Sequence, residues 1–239
     1  MLRIDFEQFF GVTEALRFTC SDASLINILV LTFDCVSACT LCNIELAFLV
    51  DSSSKSNNAW TQMLSFVSGV VSQYTISSTC VRAAVITYGN TANAPIRLTT
   101  YSNYNSLTQA IGQLPLLGGI SNLAAALNLL RSQVFSGSVV RANTARIAII
   151  ITDQLQSSSQ ITTAANSVKS DGITLVGVGI TERGRVSLNY LRGLTSNRQP
   201  IQVSSYSQLV SHAGSTVPLA CRVYEIPPTT PAPIPGMFS

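Results

Sequence analysis

From residue 43 onward, apolar positions in this chain follow two alternating rhythms. Residues 44–50, 81–88, 147–152 and 173–178 are nearly unbroken hydrophobic runs of strand length. They lack the in/out alternation of a half-solvated sheet, which is the pattern of strands buried on both faces of a parallel sheet. A weaker run, 96–99, follows Asn93-Ala94-Pro95 and predicts an edge strand, where a nearby proline is tolerated. Residues 201–203 predict a short last strand.

Between these runs the period changes to that of a helix. Trp60, Met63, Leu64, Val67, Val70, Val71 and Tyr74 form one continuous apolar stripe. The same spacing recurs at Leu107, Ala110, Ile111 and Leu114, at Leu123, Ala126, Leu127, Leu130 and Val134, and at Ile161, Ala164, Ala165 and Val168. Leu188, Leu191 and Leu194 give a shorter stripe, and Leu209, Val210 and Ala213 close the series. Strands alternating with helices predict an α/β fold: a doubly wound, mostly parallel central sheet with one antiparallel edge strand and helices on both faces.

Composition sets the boundaries of this unit. With 46% hydrophobic and 10% charged residues among 239, the chain is of the folded globular class. Residues 43–221 form the expected domain. Residues 1–42 are a poorly defined N-terminal extension that contains a signal-like apolar segment at 25–33, with small residues at Val36-Ser37-Ala38, although the preceding stretch is acidic and long for a signal peptide. Residues 222–239 are a Pro/Thr-rich linker or tail that cannot sustain a helix or a ladder. The extension carries two arginines against five acids, whereas 43–221 carries eleven basic side chains against five acids. Those arginines are scattered, which argues against a nucleic-acid footprint. No membrane span is evident.

The six cysteines allow one or two disulfides in an oxidising compartment. Cys42 and Cys221 flank the domain and are the candidate pair, since the ends of a compact domain lie close together. Cys80, at the entrance to a strand, reads as a reduced apolar filler. Cys35, Cys39 and Cys42 have no nearby histidine to complete a zinc knuckle.

The chemistry concentrates where two strand candidates stop. Asp51 ends the first run and is followed by Ser52-Ser53-Ser54-Lys55, and Asp153 ends the run at 147–152. In an open α/β sheet, ligands bind beyond the carboxyl ends of the strands. Gly118-Gly119-Ile120-Ser121-Asn122 offers a third loop, with Ser121 placed to open the next helix. Two carboxylates and hydroxyls from three loops suit a small hard cation such as Mg²⁺. The blander reading, helix capping and loop anchoring, satisfies one aspartate more easily than the pair.

Asp51-Ser52-Ser53-Ser54, then Gly118 to Leu127, then Thr152-Asp153, then Leu175-Val176-Gly177-Val178-Gly179 resemble, in that order, the von Willebrand factor type A domain of the collagen VI and matrilin branch. The resemblance spans about residues 43–221. It implies a non-enzymatic, secreted adhesion module of the extracellular matrix with a metal-ion-dependent adhesion site of pattern D-x-S-x-S. By position, Asp51, Ser53, Ser121 (threonine in the family) and Asp153 would hold Mg²⁺ or Mn²⁺. The implied partners are extracellular matrix proteins, collagen among them, with self-association of the chain also open.

One position departs from that pattern. The second serine of D-x-S-x-S falls on Lys55, one of only two lysines in the chain. An ammonium about 4 Å from a dication is repelled by roughly 2 kcal/mol even at bulk-water screening. Two outcomes are open: Lys55 turns away on its flexible stem while Ser54 or Ser56 fills the gap, or its ammonium sits between Asp51 and Asp153 in place of the metal.

Enzymatic alternatives lack machinery. The single histidine is His212, no G-x-S-x-G elbow exists, and Gly177-Val178-Gly179 is followed by Glu182 where a dinucleotide fingerprint needs glycine. No catalytic residue is expected. The competing readings are a metal-independent structural assembly domain with a vestigial site and an intracellular scaffold of the same fold. Arg183 and Arg185, after the fourth parallel strand, read as a solvated turn in preference to an anion contact.

Overall fold

The computed structural model describes residues 44–216, together with the backbone of an antiparallel strand pair, Leu2–Arg3 with Arg17–Phe18. The chain divides into two compact units, Met1–Thr40 and Leu41–Ser239. The signal-like segment, the Cys42 and Cys221 pair and the Pro/Thr tail lie outside the described residues.

The larger unit is built on a six-stranded sheet. Its strands in chain order are β1 (Ile44–Asp51), β2 (Arg82–Tyr88), β3 (Ala92–Ile96), β4 (Ala145–Thr152), β5 (Thr174–Ile180) and β6 (Ile201–Val203). Their spatial order is β3-β2-β1-β4-β5-β6, all parallel except the edge strand β3, which runs antiparallel to β2. Every residue of β1 is buried, as its unbroken apolar run requires.

The helices are α1 (Asn57–Val71), α2 (Tyr104–Gly112), α3 (Leu123–Leu129, continued by a π turn at Leu130–Val134), α4 (Ser159–Ser170), α5 (Leu188–Leu194) and the short α6 (Tyr206–Leu209). Alternate residues of each central strand feed two cores. Leu46, Phe48 and Val50 join Met63, Phe66, Val67, Leu107 and Leu209 on one face. Ala47 and Leu49 join Leu123, Leu127, Ala165 and Leu191 on the other. The cores are thus filled by helices on both sides, which fixes the sheet as a central layer.

Three details depart from the sequence reading. The edge strand occupies Ala92–Ile96 and includes Pro95, so of the 96–99 run only Ile96 stands in the ladder, opposite Val85, while Leu98 lies beyond the strand and is buried in the core. An outermost strand has no partner beyond it, so the missing N–H of Pro95 costs no ladder bond. Val210 points outward, 40% exposed, where α6 passes into a 3₁₀ turn at Val210–His212. Cys80 is buried but is engaged in a disulfide, so it is not a reduced filler. Every other cysteine lies outside the described residues.

Candidate functional site

The chain leaves β1 on one side of the sheet to build β2 and β3, then returns on the other side to build β4. The crevice beyond the ends of β1 and β4 is therefore the topological switch point. Register places Val50 beside Ile151, so Asp51 and Thr152 emerge together, with Asp153 one residue on.

Asp51 is fully buried and both of its oxygens are engaged. Oδ1 accepts from the Ser53 backbone N–H at 2.9 Å and from the Ser53 hydroxyl at 2.5 Å. Oδ2 accepts from the Ser121 hydroxyl at 2.8 Å and from Thr152 Oγ1 at 2.9 Å. Thus Asp51, Ser53 and Ser121 meet as the sequence suggests, with Thr152 added. Ser121 does not open α3; that cap belongs to Asn122, whose side chain accepts from Ala125 N–H at 3.1 Å. The Ser121 hydroxyl is thereby free to turn inward to the carboxylate.

Close approach of the 117–119 loop depends on glycine. Ser52 carbonyl accepts from Gly118 N–H at 2.8 Å, Ser52 Oγ accepts from Leu117 N–H at 2.7 Å, and Ser54 N–H donates to Gly119 carbonyl at 3.0 Å. Gly118 and Gly119 have φ of 73° and 79°, a region glycine enters without strain. A Cβ on Gly89, just past β2, would collide with the Gly118 carbonyl.

Lys55 decides the electrostatics. Its side chain is wholly buried, and its Nζ lies 3.0 Å from Asp153 Oδ1, 3.5 Å from Asp51 Oδ1 and 2.9 Å from the Ser53 carbonyl, to which it donates. It donates to Asp51 Oδ1 and the Ser53 carbonyl and pairs by charge with Asp153 Oδ1. Both hydroxyls offered in its place are committed elsewhere: Ser54 Oγ donates to Gly119 carbonyl and Ser56 caps α1 by accepting from Ala59 N–H. The lysine does not turn away.

Asp153 is 1% exposed. Its Oδ2 accepts from Arg183 Nη1 at 3.3 Å and from the Tyr206 hydroxyl. Arg183 also donates to the Ser54 carbonyl at 2.9 Å, tying the loop after β5 to the loop after β1. It is a partly exposed ion-pair partner as well as a turn residue. Burial first, then the bond to Asp153, pushes the Tyr206 phenol far above its ordinary range, so it remains a proton donor. Tyr88, beside Asp51 at the end of β2, is likewise raised, chiefly by burial and then by the Asp51 charge.

Thr152, Arg183 and Tyr206 join the site beyond the residues expected from the sequence. Thr152 and Arg183 carried a usable signal, since both stand at the carboxyl ends of parallel strands. Tyr206, at the start of α6, carried none.

As a divalent-ion site the donor set is right in kind, because carboxylates and hydroxyls are hard oxygen ligands. The place between the carboxylates, however, is filled by an ammonium, and the arrangement does not fit a second cation while Lys55 holds it. Among the described residues, no group of three or more His, Cys, Asp or Glu side chains gathers as a metal cluster.

Beside the site, sharing Ser121 with it, is a groove of about 490 Å³ lined by uncharged groups, including Asn90, Gln154, Gln156 and Gln160. Ile120 stands at this groove 71% exposed, and Leu117 on the same loop is 41% exposed. Among the described residues, no helix is long and apolar enough to cross a membrane.

Comparison with known proteins agrees with this architecture. Residues 45–213 match the model of the von Willebrand factor type A domain. The collagen alpha-5(VI) chain of Mus musculus is 27% identical over 174 residues, covering 72% of this chain and 7% of that protein. Matrilin-3 of Mus musculus is 26% identical over 168 residues, covering 68% of this chain and 35% of that protein. The chain therefore spans well under two thirds of these relatives. Proximal thread matrix protein 1 from the mussel byssus, in a structure with a zinc-occupied MIDAS motif, superposes with a TM-score of 0.69 at 19% identity, covering 76% of this chain and 49% of that one. The matched model spans most of the described sheet and helices, and the chain belongs to the von Willebrand factor type A domain family.

Proposed function

We propose that this chain is an adhesion module of a secreted, extracellular-matrix-type protein, holding other matrix proteins, collagen among them, at the C-terminal edge of its sheet. The observation that carries the reading is the gathering of Asp51 and Asp153 at the switch point, beneath a loop that exposes Leu117 and Ile120. Asp51, Ser53, Ser121 and Asp153 form the rigid base of that surface, and the neutral groove beside Ser121 takes an uncharged stretch of the partner. Large exposed apolar residues beside a shaped groove are features of recognition surfaces.

Binding, and not turnover, suits the state of these groups. The carboxylates are shielded from solvent and bonded to fixed donors, so neither is poised to exchange a proton with a bound substrate. The Cys80 disulfide supports an oxidising location over an intracellular scaffold. The resemblance to collagen VI and matrilin chains supports the matrix setting.

Surface-plasmon measurements against immobilised triple-helical collagen and collagen VI test the reading. Saturable binding by the wild-type chain is expected, with at least a tenfold loss in Leu117→Ser/Ile120→Ser and an unchanged melting temperature. Equal binding by the variant would remove the sheet edge as the docking surface, and no binding to either matrix protein would remove the proposed partners.

A further inference from the structure

We propose that the Lys55 ammonium is the resident cation of this site, so that the domain holds its two strand-end carboxylates together without a divalent metal. The inference rests on the geometry of the site and is independent of which partner the sheet edge binds.

Four observations carry it. Nζ lies within salt-bridge distance of both carboxylates, 3.5 Å from Asp51 and 3.0 Å from Asp153, and donates to the Ser53 carbonyl. The side chain is wholly buried, so the charge is neutralised within the protein and not by solvent. Among the described residues, no hydrogen-bond donor satisfies Asp153 Oδ1, which leaves that oxygen to the ammonium alone. Finally, Arg183 supplies a second positive charge on the other oxygen of Asp153. Lys55 and Arg183 together balance Asp51 and Asp153, the same balance that one dication would give two carboxylates. A dication added to both basic side chains would leave a surplus of two positive charges at the site, with only Arg183, 31% exposed, in reach of solvent.

The substitution has consequences for recognition. A divalent ion can keep a coordination position open toward a partner's acidic group, whereas this ammonium is wholly buried between its own two carboxylates and presents no face to a partner. Recognition at this edge then falls to the neutral groove and to Leu117 and Ile120. Binding so built is insensitive to chelators.

Calorimetric titration with Mn²⁺ tests the proposal on wild type, Lys55→Ser and Lys55→Met, without any partner present. Serine completes the D-x-S-x-S pattern and vacates the cation position, while methionine removes the charge and keeps the bulk. The expected result is no stoichiometric binding by wild type or Lys55→Met, and Mn²⁺ binding at least about 100-fold tighter in Lys55→Ser. Stoichiometric Mn²⁺ binding by wild type overturns the proposal, as does failure of folded Lys55→Ser to bind. If Lys55→Ser does not fold, wild type decides: a melting temperature unmoved by Mn²⁺ or EDTA supports the proposal, and one raised by Mn²⁺ overturns it.

Discussion

The ammonium of Lys55 lies 3.0 Å from Asp153 Oδ1, in the place between two strand-end carboxylates where an oxygen-liganded cation would stand. This ion pair joins the loop after β1 to the end of β4, two neighbouring strands of the sheet whose connection runs through residues 52–144. It bears on both stability and recognition.

Removing one partner of a buried ion pair leaves an uncompensated charge, at a cost of about 3–5 kcal/mol. Lys55→Met is expected to lose stability in that range in denaturant unfolding at neutral pH. Ser121→Ala removes one of two hydroxyl donors to Asp51 Oδ2 and leaves Thr152 in place, so its loss is about 1 kcal/mol. The two variants should differ clearly, with the cation outweighing the hydroxyl.

Near the opposite end of the sheet, buried Glu45 near the start of β1 accepts from Arg82 Nη2 at 2.5 Å and from Arg141 Nε at 2.8 Å. Burial pushes its carboxyl up, but the bonds to Arg82 and Arg141 outweigh that and hold it below the ordinary value of 4.5. The folded chain therefore binds this proton less readily than the unfolded chain. The stabilisation is full above that ordinary value and drains away as the pH falls through the lowered one. Glu45→Gln is expected to lose about 3 kcal/mol at pH 7. Its stability difference from wild type should shrink in acid, as followed by urea unfolding across the acid range.

Gly89→Ala places a Cβ against the Gly118 carbonyl, which is backbone and cannot rotate away. The 117–119 loop must shift, at about 1–3 kcal/mol for overpacking. Partner binding is expected to fall with it, because Leu117 and Ile120 ride on the same loop. Gly112→Ala, where an added Cβ meets nothing, is the control and should bind as wild type.

Much of this architecture was legible in the sequence because buried parallel strands announce themselves as unbroken apolar runs. Asp51 and Asp153 end two such runs, so their convergence needed only that the strands be neighbours. The fate of Lys55 was not legible: a flexible stem reaches several positions, and the choice depends on Ser54 and Ser56 being bonded elsewhere. Tyr206 meets Asp153 across 53 residues through the packing of α6, which no local pattern encodes. Cys80 misled for a related reason, since a disulfide half and an apolar filler are equally buried. Pro95 misled by suggesting that the edge strand begins after it, whereas an outer strand tolerates proline within.

The most direct test is anomalous diffraction from crystals of the wild-type chain grown with excess MnCl₂. The account predicts no manganese peak between Asp51 and Asp153, with Lys55 Nζ in contact with both carboxylates. A manganese peak about 2 Å from an oxygen of either aspartate, with the lysine displaced, would contradict it.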